Sequence, residues 1–311
     1  MIMVMFRCGE VGDWKKLKVF ILDEIYNNGV EEQFAMVNAG GQAVIEGVLM
    51  RYEDRVAVAV RNPEGKIVVK KERVRWKESK LPFVRGIVNL ISMLRLGVAA
   101  LGFSSDVALG IKKQKKGSAA LVGSFIVAII VGIFLFKFLP LGAAELVDGA
   151  LGVSSFWFNV VDGGVRFLIL VAYLGAVSLM ADMRRVFEYH GAEHKAVNCF
   201  EAGKMLTVKN VQSCSKVHKR CGTTFVFLVV LISIFVFVFI PKEASFGEKL
   251  GLRVLLLPVI ASLSYEVLRL GAKHNILKPL ILPGLWVQGL TTREPDNKQV
   301  EVAIRALKAV L

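Results

Sequence analysis

Cysteine and histidine are scarce, four of each in 311 residues. Cys8, Cys199, Cys214 and Cys221 do not make a disulfide framework, because three of them crowd into residues 199–221. In a reducing compartment they read as free thiols or metal ligands. Acid is the minority charge, 26 Asp and Glu against 40 Lys and Arg, for a net charge of +14. The N-terminus lacks a signal-peptide core: Met1–Phe6 is a short apolar stretch and no A-x-A site follows it. Residues 1–35 read as an extension with no assigned function.

Apolar residues are abundant. They make up 54% of the chain, with a mean hydropathy of +0.55, and they sit in blocks such as Leu121–Phe136 and Phe225–Ile240. A water-soluble core does not need blocks of that length, so the fold class is a polytopic α-helical membrane protein. The positive balance then reads as Lys and Arg gathered at the cytoplasmic side, and no nucleic acid is expected. The 21% of charged residues requires sizeable segments outside the lipid.

Residues 36–80 have the pattern of a small cytosolic β unit. Ala43–Met50 is a β-rich run, and Arg55–Val60 and Lys66–Val74 alternate on either side of the turn Asn62-Pro63-Glu64-Gly65. Residues 81–110 carry an amphipathic helix. Arg85, Asn89, Ser92 and Arg95 mark one side of residues 82–106, which suits a helix in the membrane interface or packed on other helices better than a lone span.

Four spans are expected: Ser118–Leu139, about 33 Å long at 1.5 Å per residue, then Val165–Ala181, Thr223–Ile240 and Leu250–Leu268, the last kinked at Pro258. They form two hairpins, within 111–181 and 223–270. Leu141–Gly164 has no Lys or Arg, whereas Asp182–Gly222 has eight. Residues 182–222 are therefore expected to be a cytosolic loop of a bacterial inner-membrane protein with both termini in the cytosol. Residues 271–311 read as a re-entrant or interfacial loop, broken by Pro279 and Pro283, followed by a helix with a capping box at Asp296 and Gln299.

The chemistry concentrates in 182–222. His190-Gly191-Ala192-Glu193-His194 is an H-x-x-E-H pattern, in which two imidazoles one helical turn apart can ligate one Zn²⁺ beside a general base. Gly191 weakens that helix by about 1 kcal/mol relative to Ala. His218 or Cys221, just before the third span, is the candidate third ligand. Cys199 and Cys214 are read as packing residues. A second polar group opens the β unit at Gly40, Gly41 and Glu46. An acid inside an apolar strand needs a partner such as Arg51, Arg85 or a metal, and the glycines permit backbone geometry closed to other residues.

Gly40–Arg51, Tyr189–Glu201, His218–Thr223 and Gln288–Pro295 resemble, in order, the signature segments of the YqhQ-like bacterial membrane family. That family is also known as domain of unknown function 1385 and is described as predicted metal-dependent enzymes. The resemblance covers about residues 38–311. It implies roles for Glu46, His190, Glu193, His194, His218 and Cys221, and in the tail for Gln288, Thr291, Thr292, Arg293 and Glu294.

The expected function is a membrane-embedded, metal-dependent hydrolase acting at the cytosolic face. A divalent metal, zinc by donor type, would be held by His190 and His194 with His218 or Cys221. Glu193 would serve as base, and Glu46 or Glu294 would complete the site. A lipid headgroup or a peptide would be the substrate. The alternatives are a membrane scaffold or biogenesis factor with a structural metal and, behind it, an ion transporter.

Overall fold

The computed structural model describes residues 39–74, 81–111, 119–241 and 243–311. The expected extension 1–35 lies outside them, as do the ends of the β unit and the lysine cluster at 112–116.

Alternation builds a four-stranded antiparallel sheet with consecutive neighbours: β1 Ala39–Val44, β2 Gly47–Tyr52, β3 Arg55–Arg61 and β4 Ile67–Arg73. The hairpin expected at Asn62–Gly65 is present, with Arg61 opposite Ile67. The run Ala43–Met50, however, is not one strand. It folds back at Ile45-Glu46, where Val44 pairs with Gly47 and Glu46 takes φ 52°. Glu46 is thus a turn residue and not an acid buried in a strand.

Both faces of β2 and β3 are covered, whereas β4 is largely exposed. Val44, Leu49, Val56, Val58 and Val60 pack on Ala100, Leu96, Phe103 and Val107 of helix α1 (Val84–Ala108). The intervening residues, Val48, Met50, Ala57 and Ala59, are buried on the other face, where α5 (Ala181–Glu201) and α11 (Asn297–Lys308) lie. Each fully buried Val or Leu contributes about 1.5–3 kcal/mol, which is how two-sided burial pins the register of β2 and β3. The capping box that starts α11 is formed, with Asp296 and Gln299 exchanging hydrogen bonds of 2.8 and 2.7 Å. Gln299 also donates to Glu188 of α5 at 2.7 Å.

The remaining helices form a bundle. Helix α2 (Ala119–Ile133) passes through a π turn, Phe134–Phe138, directly into α3 (Leu139–Leu151). The expected end of a span at Leu139 is therefore corrected. Pro140 has no N–H to give the Phe136 carbonyl; the π turn absorbs the proline, and Arg166 Nε supplies the missing donor at 3.0 Å. Helix α4 (Ser155–Leu179) follows a turn at Gly152, so Leu141–Gly164 is mostly helical and not a loop. Next come α6 (Val208–Gln212), α7 (Gly222–Phe237), α8 (Phe246–Leu255), α9 (Leu257–Lys273) and α10 (Lys278–Thr291).

Among the described residues, three helices are long and apolar enough to cross a bilayer: Val84–Ala108, Ile126–Leu151 and Ser155–Leu179. The pair α8 and α9, bent by 45°, makes up to four. This is compatible with a multi-pass membrane protein, but the set differs from the one expected. Residues 84–108 qualify, and the first half of their polar stripe faces α9: Arg85 pairs with Glu266 at 2.7 Å, and Asn89 donates to Tyr265 at 2.9 Å. The expected third span is the 16-residue α7, about 24 Å long and short for a span; it packs against α4, α9 and α10. The break between α8 and α9 falls at Leu256, with Pro258 in the first turn of α9. Residues 278–291 form a helix containing Pro283 and not a loop.

Candidate metal centre

The segment read as a cytosolic loop, 182–222, holds the helix α5 in its first half. The helix begins after an extended residue, Met180, that separates it from α4. Residues four apart share a face, and the rings of His190 and His194 lie 4.4 Å apart. Gly191 between them has a structural cause. A Cβ there would sit 2.0 Å from the Arg293 carbonyl oxygen, so glycine lets the chain after α10 cross α5 at backbone contact. That closeness brings the Thr291 carbonyl to His190.

Each histidine is oriented from outside its own helix. His190 Nδ1 lies 2.8 Å from Thr291 O, and His194 Nδ1 lies 2.6 Å from Lys216 O. A carbonyl oxygen accepts, so both Nδ1 atoms carry a proton, and the Nε2 atoms are left to face Cys221 Sγ from His190 and Glu193 Oε2 from His194, each at 3.4 Å. This is the orienting arrangement common around metal-ligating histidines. The strand of chain bearing Lys216 is gripped by α5. Asn198 donates to Ser215 O at 2.7 Å and Val217 O at 3.0 Å, and Lys195 donates to Gln212 O at 2.9 Å.

Cys221 caps the start of α7, its Sγ accepting from Thr223 N at 3.4 Å, and lies 3.4 Å from His190 Nε2. The donor atoms of His190, His194 and Cys221 fall within 4.8 Å of one another. Bonds of 2.0–2.3 Å to a tetrahedral zinc would place them about 3.3–3.8 Å apart, so the set fits a metal with small side-chain movements. His218 stands beside it, its ring 5.6 Å from His194, but its Nε2 faces Glu201 at 3.4 Å. Its main chain is clamped by Gln288, which accepts from His218 N at 2.9 Å and donates to His218 O at 3.0 Å. The structure therefore brings Cys221, and not His218, to the histidine pair.

Glu193 is buried, with Oε2 3.4 Å from His194 Nε2. Burial pushes its carboxyl above the usual range, opposed in part by the nearby His190 and His218 and by the Gly41 N–H. Gly41 is also a point of close approach, since a Cβ would lie 3.2 Å from Glu193 Cγ, while Gly40 faces open space. Neither glycine has positive φ, which corrects the expectation of special backbone geometry.

Glu46 is engaged elsewhere. It pairs with Arg185, accepting from its Nη2 at 2.7 Å, and with Tyr189 at 3.2 Å. Arg51 and Arg85, the partners expected for it, go to the Glu53 carbonyl and to Glu266. Burial and the Glu46 charge raise the Tyr189 phenol, and the bond to Glu46 raises the Arg185 guanidinium. Glu294 pairs with Lys195 at 2.9 Å and Lys216 at 3.6 Å and does not join the cluster. Cys199 is buried, and burial with the neighbouring Cys214 pushes its thiol up to about 11.

The tail residues are the scaffold of this centre. Thr291 orients His190, Thr292 caps back to Gln288 O at 2.9 Å, and Arg293 donates to Ser178 O at 3.1 Å. Beside them opens a cleft of about 490 Å³, lined in part by Ser178, Glu188, Lys216, Thr292, Arg293 and Glu294. The carbonyls of Thr291 and Lys216 were missed in the sequence because a main-chain acceptor carries no residue-type signal. Arg185, the partner of Glu46, was one of eight basic residues with nothing to distinguish it.

The family model of a protein of unknown function, DUF1385, matches residues 81–311. A relative from Bacillus subtilis (strain 168), the uncharacterized protein YqhQ, is 34% identical over an alignment covering 88% of this chain and 92% of its own. No solved structure matches the chain. The chain belongs to the DUF1385 family.

Proposed function

We propose that this member of the family is a multi-pass cell-membrane protein whose His190, His194 and Cys221 hold one divalent transition metal, zinc by donor chemistry, and that it acts as a metal-dependent hydrolase at the cytosolic membrane face. The observation that carries this reading is the pair of fixed tautomers: two histidines from one helix are turned by two remote carbonyls so that both Nε2 atoms and a thiol converge. Imidazole with thiolate is a borderline-soft set that favours zinc over magnesium or calcium. Three protein donors leave a fourth position open, as in catalytic sites. A metal held there supplies Lewis acidity for hydrolysis near neutral pH.

The remaining roles belong to the chain itself. Glu193 takes and returns a proton at Oε2, and its raised affinity for protons suits a group that must do both. Lys216 and Arg293 put positive charge beside Glu188 and Glu294 in the adjoining cleft, where a lipid headgroup or a peptide would lie. The eight basic residues of 182–222 support a cytosolic placement with both termini on that side.

The second reading is a scaffold in which the metal is structural. Burial of His194 and Cys221 favours it, as does the way the cluster ties α5 to α7 and to the end of α10. Metal analysis of the purified full chain separates the cases. A single equivalent is expected in the wild type, most of it lost in His194→Ala and retained in Glu193→Gln. If Glu193→Gln abolishes turnover of a lipid or peptide probe, the hydrolase stands. A metal-loaded wild type that turns over neither is the scaffold. A metal content unchanged in the double variant His190→Ala, His194→Ala, or absent from the wild type, overturns the ligand assignment.

A further inference from the structure

A second buried polar centre lies at the other end of α7. Residues far apart in sequence meet there: Lys137 from the π turn, Asn159, Asp162 and Arg166 from α4, and Lys249 and Arg253 from α8. Phe237, sixteen residues beyond Cys221, is about 24 Å away from it along the helix. Asp162, Arg253 and Arg166 are 0, 1 and 3% exposed. Asp162 accepts from both arginines. Arg166 also donates to Ser233 Oγ at 2.6 Å.

The charges there do not balance. Lys249 has its own acid, Glu145, at 2.6 Å. The two arginines share one aspartate. Lys137 lies over the Phe237 ring at 5.4 Å, a ring already flanked by Arg166 at 5.3 Å and Arg253 at 4.8 Å, and it pairs with no acid among the described residues. A buried lysine can shed its proton, but an arginine cannot. Whatever Lys137 does, at least one positive charge is left over where solvent does not reach, and an unpaired buried charge is strongly unfavourable.

Two independent observations indicate what answers it. Nε of Arg253 is buried without a hydrogen-bond partner. Arg253 also lines, with Lys249, Asn159, Ser155 and Phe237, a cavity of about 10 Å³, room for a single water-sized body. Ser155, the first residue of α4, lines the same space, near the end of the helix where its dipole is positive. We propose that this cavity binds one small monatomic anion, a halide such as chloride, which neutralises the Arg166–Asp162–Arg253 centre and locks α4 to α8. The size of the cavity excludes a phosphate group, and the sign of the surplus charge excludes a cation.

The test uses the full chain in detergent at constant ionic strength. In sodium gluconate, whose organic anion is too large for the cavity, the site is empty. Exchange for chloride or bromide is expected to raise the unfolding temperature saturably, by about 2–5 °C. Asn159→Asp is isosteric and sets a carboxylate beside Arg253, whose Nη2 is 3.3 Å from Asn159 Oδ1. Ser155→Asp sets one in the first turn of α4. Each should abolish the halide response while unfolding in gluconate no earlier than the wild type. A wild type indifferent to halide overturns the proposal. So does a halide response that survives in both variants, or one that phosphate matches, since either would place the ions on the surface of a chain of net charge +14.

Discussion

The polar residues around His190 and those around Asp162 are both withdrawn from solvent, yet they are satisfied by different means. Around His190 main-chain carbonyls, Thr291 O and Lys216 O, fix the rings at Nδ1 and leave Nε2 of each to weaker contacts of 3.4 Å with Cys221 and Glu193. Around Asp162 the partners are charged side chains, and both carboxylate oxygens are consumed. Main-chain partners hold a group without using its charge, so the first centre keeps its lone pairs for a ligand. Ion pairing holds four helical segments together but leaves only what the charges fail to cancel. The first arrangement orients and the second braces.

The largest effect is expected from breaking the brace. Asp162→Ala leaves Arg166 and Arg253 buried with no carboxylate, and loss of one partner of a buried pair costs about 3–5 kcal/mol. The variant should be recovered in poor yield and unfold well below the wild type in a detergent melt. An unfolding temperature equal to the wild type would mean that these arginines reach solvent and that the centre is not sealed.

The first centre breaks through geometry instead of charge. Gly191→Ala directs a Cβ to within 2.0 Å of the Arg293 carbonyl oxygen, an atom of the main chain that cannot step aside. Helix α5 and the 291–295 segment must separate, at a cost of about 2–3 kcal/mol, and the Thr291 contact with His190 goes with them. Gly40→Ala, which meets nothing within 4 Å, is the control and should stay within about 0.5 kcal/mol of the wild type. Comparable melts for the two variants would show that the close approach at Gly191 is not the constraint.

These two centres were not equally legible in the sequence. His190, Glu193 and His194 announce themselves, because helical spacing converts three letters into one face. Cys221 was one of two candidates for the third donor, and the choice depended on where α7 begins. The Asp162 centre left no such trace. Lys137, Asp162, Ser233 and Arg253 lie in four separate apolar stretches, and each looks like a stray polar residue until the helices pack. The hairpin at Asn62–Gly65 was readable from alternation and turn chemistry, whereas the one at Ile45-Glu46 was hidden, since a non-glycine residue takes the positive φ and the residues beside the turn, Ala43, Val44, Val48, Leu49 and Met50, are apolar. That misplacement of Glu46 is why Arg185 was not seen as its partner. The continuation of the helix past Leu139 was hidden as well, because it depends on a π turn and a distant guanidinium that accommodate Pro140.

The smallest expected effect sharpens the comparison at the rim of the first centre, where charge does contribute. Glu294 reaches Lys195 at 2.9 Å and Lys216 at 3.6 Å. Burial alone would raise its carboxyl, but the hydrogen bond from Lys195 and the two ammonium charges outweigh that and hold it below its ordinary value. A depressed folded-state value means that the unfolded chain binds the proton more readily. The stabilisation is therefore fully present above the ordinary carboxylate range and disappears as pH falls through the folded-state value. Because the Glu294 side chain is 64% exposed, solvent screens the pair and its worth is well under about 1 kcal/mol. Glu294→Gln should unfold slightly earlier than the wild type at pH 7, and the gap should close as acidification passes below the ordinary carboxylate range. A gap that persists at pH 3 would mean that Glu294 acts through packing and not through its charge. A gap several times larger at pH 7 would place Glu294 in a site much drier than the open cleft it lines.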